Sequence, residues 1–527
     1  MAKLGNNMVS LYGVYDYGGY DKEYEVVICG GGTSGVAAAI ASARTGAKTL
    51  LIERTGQLGG QMSLSGPPGF AYAFLFNCHG QQDSAGIIEE THQRLYKQGH
   101  ALPHMRPPHR KPAGYTFSYV DPEWWTLEIF DMMEENGVTL LLDSLVVDVT
   151  KDGDKVTGVV VENANGRVTI PAKVVIDCTG ESYVSKFAGC ETVETDRDII
   201  QPHSICFTAD GIDWDKLLKY INNNPDQFEW EQLVGNNMHE LTRDLVMSVF
   251  RKCIDIMELG ELMGFSDLRK VALENGDWHP NSGAGFFLQP KEGGRVLAHF
   301  QHSSQVDHAV PSDAWDMTRC NIECRKQIRI AWRFFKNYVP GFENAYITRI
   351  GSEIRVREGA RIVGDYVFTK EDVYNEAEFD DVIGLSHFAA GAHHSTNDKT
   401  LSVITEEEEH TGAQNGDEFV LPKNLNSYQL PYRIMVPKKI DNLLAAGKNC
   451  STDRSAYLRY LQQTMVTGQA AGVAAALCVK NGCTPRELEK DVTELQKILV
   501  SQGAILKVKK FAYKTDNNDG KDEPYEV

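Results

Sequence analysis

At 527 residues the chain is too long for one compact core, so two or three domains are expected. A formal charge of −19 repels nucleic acid and anionic membranes, which leaves neither as an expected partner. With 42% hydrophobic and 24% charged residues and no long uncharged apolar run, the chain reads as an ordinary soluble protein, expected in the cytoplasm. The eleven cysteines are scattered and include no CxxC, so neither a disulfide framework nor a zinc or iron–sulfur site is expected.

Residues 1–21, rich in Gly and Tyr, read as an N-terminal arm. "YEVVIC" (24–29) has the length and β-branched content of a buried parallel strand. Gly30, Gly32 and Gly35 follow in GxGxxG spacing. The first glycine permits a tight turn, the second lets a pyrophosphate reach the backbone, and the third brings helix close to strand. A helix from about Thr33 to Thr45 starts with its positive dipole end toward that pyrophosphate. "GAKTLLIER" is the next strand and ends on Glu53, placed to accept hydrogen bonds from ribose hydroxyls and to disfavour the 2′-phosphate of NADP.

Residues 144–177 read as a meander of strands, "SLVVDVT", "KVTGVVVEN", "RVTIPA" and "KVVIDCTG", with Asn165-Gly166 marking a tight hairpin. Next come a strand in "HSICFTADGID", a charged helical stretch over 213–275, strands in "GAGFFLQP" and "RVLAHFQH", and a helix near 316–337. Separate rather than alternating strands and helices fit an α+β unit. The acidic segment 405–418 reads as a solvated surface. "NLLAAG" (442–447) is another buried strand, followed by an Ala-rich helix from about Gln462 in which Gly468 and Gly472 permit close packing. Residues 507–527 read as a mobile tail.

The stretch "ERTGQLGGQMSLSG" (53–66) adds Arg54 and the pair Gly59–Gly60. Here the sequence resembles the FAD-dependent oxidoreductases of the glutathione-reductase-like superfamily. More narrowly it is similar to a bacterial FAD-dependent oxidoreductase family that shares the blocks at 166–189, 349–373 and 430–477. The resemblance implies an α/β fold: a Rossmann-like FAD-binding domain, with a parallel sheet and β-meander, and an inserted α+β substrate domain. The FAD domain would comprise 22–190 and 425–503, the insert 191–424, and the C-terminal tail 504–527. Expected FAD contacts are Gly30, Gly32, Thr33, Ser34, Gly35, Glu53, Arg54, Gly59, Gly60, Gln61, Val147, Thr179, Gly180, Gly447, Asn449 and Leu461. The Ala-rich helix would aim its N-terminus at the flavin ring and stabilise negative charge there.

For the chemistry, Arg357, Glu358 and Arg361 match the family's Arg-Glu…Arg pattern. Arg357 and Arg361 are candidates to bind a substrate carboxylate or stabilise an oxyanion; the alternative is an ion-pair network joining the two domains. Arg355 departs from the pattern, which more usually has a small residue there. The segment 384–398 holds His387, His393 and His394, of which His387 and His394 are candidate proton acceptors. A metal there lacks ligand-spacing support, and none is expected. Cys78 and His79 offer points for covalent flavin attachment, though nothing in the sequence brings either to a ring.

The expected activity is hydride transfer between FAD and a small polar organic substrate, by C–OH or C–NH oxidation or reduction of an activated C=C bond. A flavin monooxygenase using external NAD(P)H and O2 is the first alternative, and a non-catalytic flavin-binding or electron-relay subunit the second. No second GxGxxG stands in a strand–turn–helix context, so the electron acceptor or donor is expected to be external. A homo-oligomer is possible on sequence grounds; the substrate is not legible.

Overall fold

A computed structural model describes residues 7–10, 13–16, 18–65, 75–77, 79–104, 118–224, 227, 261–279, 283–291, 295–391, 420–512 and 525–526. The glycine-rich stretch forms strand β1 (Val26–Cys29), helix α1 (Thr33–Arg44) and strand β2 (Thr49–Ile52). Helices α2 (Ile87–Gln98) and α3 (Pro122–Glu135) lead to β3 (Thr139–Leu141). The meander is β4 (Leu145–Asp152), β5 (Lys155–Asn163) and β6 (Gly166–Pro171), followed by β7 (Val174–Asp177).

The inserted segment contributes β8 (Phe207–Asp210), β9 (Glu261–Met263), β10 (Gly285–Lys291), β11 (Arg295–Phe300), helix α4 (Ala314–Tyr338) and β12 (Tyr346–Ile350). A two-stranded ribbon follows, β13 (Val382–Ser386) with β14 (Tyr428–Pro431). Strand β15 (Leu443–Ala445) and helix α5 (Leu461–Asn481) complete the elements used below.

A five-stranded parallel sheet in the order β15–β7–β1–β2–β3 is the frame of the cofactor body. Every residue of β1, β2 and β7 is buried, as strands covered on both faces require. That double burial takes β7 out of the meander and into the parallel sheet, whereas β4, β5 and β6 form a three-stranded antiparallel layer beside it. The β5–β6 turn is one residue earlier than the sequence suggests: Asn163 pairs with Gly166, so Ala164–Asn165 make the loop.

Helices α1 and α5 lie together over the sheet. A Cβ at Gly468 would stand 2.2 Å from the Ser34 carbonyl oxygen, and one at Gly472 would stand 2.1 Å from that of Ala38. Only the absence of side chains allows this approach, which places the N-terminus of α5 beside that of α1.

The inserted unit is an antiparallel sheet in the order β9–β10–β11–β8–β12, with α4 packed on it. Asp313 caps α4 by accepting from the N–H groups of Trp315 and Asp316. Cys320, Cys324, Ile328, Ala331 and Phe335 recur at helical spacing on its buried side. Aromatic rings fill the space between, with Phe207 stacked on Phe300 at 4.3 Å and Phe300 edge-on to Phe335 at 4.8 Å. Burial pushes the Cys320 thiol up to about 12 and that of Cys324 to about 11, so both are packing residues.

Two sequence expectations change. The charged stretch 213–275 is helical at Trp214–Asn223 and Ser266–Glu274, but β9 interrupts it because Glu261–Met263 pairs with Gly285–Phe287. The C-terminal segment is anchored through Ala512 rather than free. The Phe511 N–H donates to Asn426 Oδ1 at 2.9 Å, the Asn426 amide returns a bond to the Phe511 carbonyl at 2.7 Å, and His79 stacks on the Phe511 ring at 4.4 Å. Among the described residues no helix is long and apolar enough to cross a membrane.

Candidate active site

The glycine cradle forms where β1 meets α1. Gly30 has φ +105°, and a Cβ there would lie 2.5 Å from the Cys178 carbonyl. Gly35 is needed for packing, since its Cβ would fall 1.8 Å from the Gly30 carbonyl oxygen. Gly32 differs from both: a Cβ at this helix N-cap would meet nothing within 4 Å. The space in front of α1 is therefore open, and no side chain caps the helix there.

Around that opening, Glu53 accepts the Gly31 N–H at 2.7 Å through one carboxylate oxygen and the Thr55 N–H and hydroxyl at 3.0 Å through the other. Gly59 donates to the Gly31 carbonyl at 2.8 Å, and both Gly59 and Gly60 have positive φ, +103° and +54°. Gln61 donates to the Val356 carbonyl at 2.6 Å, while Arg54 pairs with Glu353. Thr33 bonds the Thr464 hydroxyl at 2.8 Å, and buried Ser34 backs onto Gly447 and Gly468.

At the neighbouring strand ends, Asp177 takes the Thr179 N–H and hydroxyl, and Gly180 turns with φ +80° against Lys448. Gly447 donates to Thr467 Oγ1 at 3.0 Å. The Asn449 amide is spent inside the protein, donating to Asp177 and accepting from the Ser182 N–H. Val147 is half-buried in β4, and Leu461 opens α5.

These residues suit an extended dinucleotide. The uncapped start of α1 with its open Gly32 fits a pyrophosphate. Gln462, in the first turn of α5, is fully buried, and both of its amide atoms lack a partner among the described residues. A buried, unsatisfied amide at the start of a helix fits a polar group docked there.

The seam with the inserted unit begins at the same place. Val356, Phe388 and Tyr460 pack against the inserted core, with Phe388 on Tyr460 at 3.8 Å. Cys206 donates to the Ser65 carbonyl at 3.1 Å, and Lys291 pairs with Asp121 at 2.7 Å.

The two candidate arginines separate. Arg361 donates to Glu358 at 3.3 Å and lies over the Tyr457 ring at 5.3 Å; Glu358 also meets Arg454 at 3.4 Å and Thr195. This is the ion-pair network weighed for these residues from the sequence. Arg357, 5% exposed, instead gives its guanidinium to the Pro202 carbonyl. Burial, then the nearby charges of Arg355 and Arg459, push it down to about 9. His387 Nδ1 meets Asp83 Oδ2 at 2.7 Å, and Ser427 donates to the same oxygen at 2.6 Å. His393, His394, Cys78 and the acidic segment 405–418 lie outside the described residues. His79 bonds the Asn424 carbonyl at 3.1 Å, beside the C-terminal segment.

Several of these arrangements were not legible in the sequence. Asp83 orients His387 from 304 positions away. His299 on β11 is fully buried with both ring nitrogens unpartnered among the described residues. Burial, followed by the charge of Arg355, holds it down to about 3 and thus neutral. Elsewhere, Glu89, His92 and His104 bring one metal-capable atom each within 4.8 Å of one another. They are joined internally by a 2.8 Å Glu89–His104 bond and a 3.9 Å stack of the two imidazoles.

The parallel sheet, open glycine cradle and acid-terminated second strand define a Rossmann-like dinucleotide-binding architecture. The family model described as "FAD dependent oxidoreductase" matches residues 25–499, and the chain belongs to that family. It is an enzyme that uses FAD. It is similar to digeranylgeranylglycerophospholipid reductases of Thermoplasma acidophilum, 27% identical over 180 residues, and of Picrophilus torridus, 27% over 173. Those matches cover 34% and 32% of this chain but only 44% and 43% of the relatives, so the chain spans less than half of their length. Among solved structures, a geranylgeranyl bacteriochlorophyll reductase-like protein from Thermoplasma acidophilum gives a TM-score of 0.42 at 13% identity, over 91% of this chain and 87% of that one. The p-nitrophenol 4-monooxygenase of Pseudomonas putida gives 0.42 at 11%, over 92% and 87%.

Proposed function

We propose that the protein transfers a hydride between FAD and a small polar organic substrate held in the seam between the cofactor body and the inserted unit. The observation that carries this reading is Arg357: a buried guanidinium whose partner among the described residues is a carbonyl, within the electrostatic reach of Arg459 just before α5. FAD, when bound, supplies two-electron redox chemistry at its ring. In this reading residues 22–190 and 425–503 hold the cofactor and 191–424 face the substrate.

The cradle glycines and Glu53 take the nucleotide end, and the first turn of α5 provides a positive dipole for charge that develops on the ring. Arg357 orients the substrate. His387, fixed by Asp83, exchanges the substrate's hydroxyl or amine proton as the hydride leaves or joins the adjacent carbon. Oxidation thus removes one hydride and one proton from the substrate, and reduction adds them.

Anaerobic mixing with a panel of small alcohols, amines and enoates tests the reading. The oxidised-flavin band near 450 nm, a property of the cofactor, falls with a substrate of the oxidised kind, and an enoate restores it in photoreduced enzyme. His387→Gln slows that step by about 100-fold while FAD content is unchanged. Failure of every compound in both directions would overturn it.

A further inference from the structure

Two arginines on one extended segment and a third before α5 influence one another electrostatically, and among the described residues no carboxylate pairs with any of them. Arg355 and Arg357 stand on the segment after β12, and Arg459 stands two residues before α5. Among the described residues none of the three makes an ion pair: Arg357 donates to the Pro202 carbonyl, Arg459 to the Tyr460 hydroxyl at 3.1 Å, and Arg355 has a buried Nη1 with no partner. Burial first, and then the charges of Arg355 and Arg459, lower the affinity of Arg357 for its proton.

Among the described residues, acids close to them in the chain or at the same strand ends are engaged elsewhere. Glu353 is held by Arg54, Glu358 by Arg361 and Arg454, and Glu181 by Lys448 at 3.3 Å. Unspent hydrogen-bonding atoms lie on the neighbouring backbone segments. Ser204 is fully buried, its hydroxyl is unpartnered, and its backbone brackets Arg355 with bonds of 2.7 and 3.4 Å. His299, fully buried beside Arg355, has two unpartnered ring nitrogens. Like charges gathered out of water are costly unless an opposite charge joins them. The planar fork of an arginine matches a carboxylate through two parallel bonds.

We propose that Arg355, Arg357 and Arg459, with Ser204 and His299, form an anion chamber that selects a small substrate bearing a carboxylate. The inference rests on the hydride-transfer reading above and names its substrate class. Arg355, the residue that departs from the family pattern, then contributes to substrate selection.

The test uses the full-chain holoenzyme and two matched pairs of probes, benzoate against benzamide and succinate against succinamide. Binding is read from perturbation of the flavin spectrum. The acids are expected to bind about tenfold or more tightly than their amides. Arg357→Leu and Arg459→Gln should each erase that preference while FAD content stays constant. Arg459 is only half-buried, so the second variant keeps the test intact where the first fails to fold. Equal binding of acid and amide, no binding of either, or a preference that survives substitution would overturn the inference. If the acids prove selective but no alcohol, amine or enoate bearing a carboxylate exchanges electrons with the flavin, the hydride-transfer reading fails and the anion chamber stands.

Discussion

Gly32 and Gly35 look alike in the motif but do different work. Gly35 is excluded from carrying a side chain by the protein itself, because the Gly30 carbonyl occupies the space. Gly32 faces open space at an extended backbone, φ −69° and ψ −176°, that alanine adopts without strain. Its lack of a side chain therefore answers to no packing need of the protein itself. Gly32→Ala is expected to leave the unfolding free energy of the FAD-free protein within about 0.5 kcal/mol of the parent. The same change should weaken FAD binding by about tenfold or more, roughly 1.4 kcal/mol, measured by fluorescence titration. Unchanged affinity would show that nothing approaches that backbone. The spacing alone announced both glycines; only the structure divides their roles. The arginines teach a similar lesson. The Arg-Glu…Arg pattern was visible in the sequence, yet whether each charge was spent depended on Thr195, Arg454 and Arg459, all distant in the chain.

Among the elements, the α1–α5 pair decides the geometry of the site. Its two glycines admit the backbone of α1, and the Thr33–Thr464 bond then ties the two helix starts together. Gly472→Ala would press a Cβ onto the Ala38 carbonyl, backbone that cannot step aside. We expect a loss of about 1–3 kcal/mol in chemical unfolding. Stability equal to the parent would mean the helices separate freely. Strands β1, β2 and β7 and helices α1, α4 and α5 were readable from apolar runs and helical spacing, because these signals are local. Strand β9 was not: three residues acquire strand character only by pairing with β10. The C-terminal segment was misjudged for a related reason. Its polar composition hides the Asn426 amide that grips Phe511.

At the scale of the whole molecule, two cores share one seam. The parallel-sheet body and the aromatic core of the insert each bury their own apolar residues, and both meet near the first turn of α5. The glycine cradle was legible because one continuous stretch, 26–53, carries it. The proposed anion site was not, since Ser204, His299, Arg355 and Arg459 come from four places in the chain. The proposed activity requires FAD to lie between the starts of α1 and α5. Titration of FAD-free, folded protein with FAD, followed by flavin fluorescence and competed with ADP, tests this most directly. Saturable stoichiometric uptake that ADP displaces is the predicted result; folded protein that leaves FAD free in solution at every concentration would contradict it.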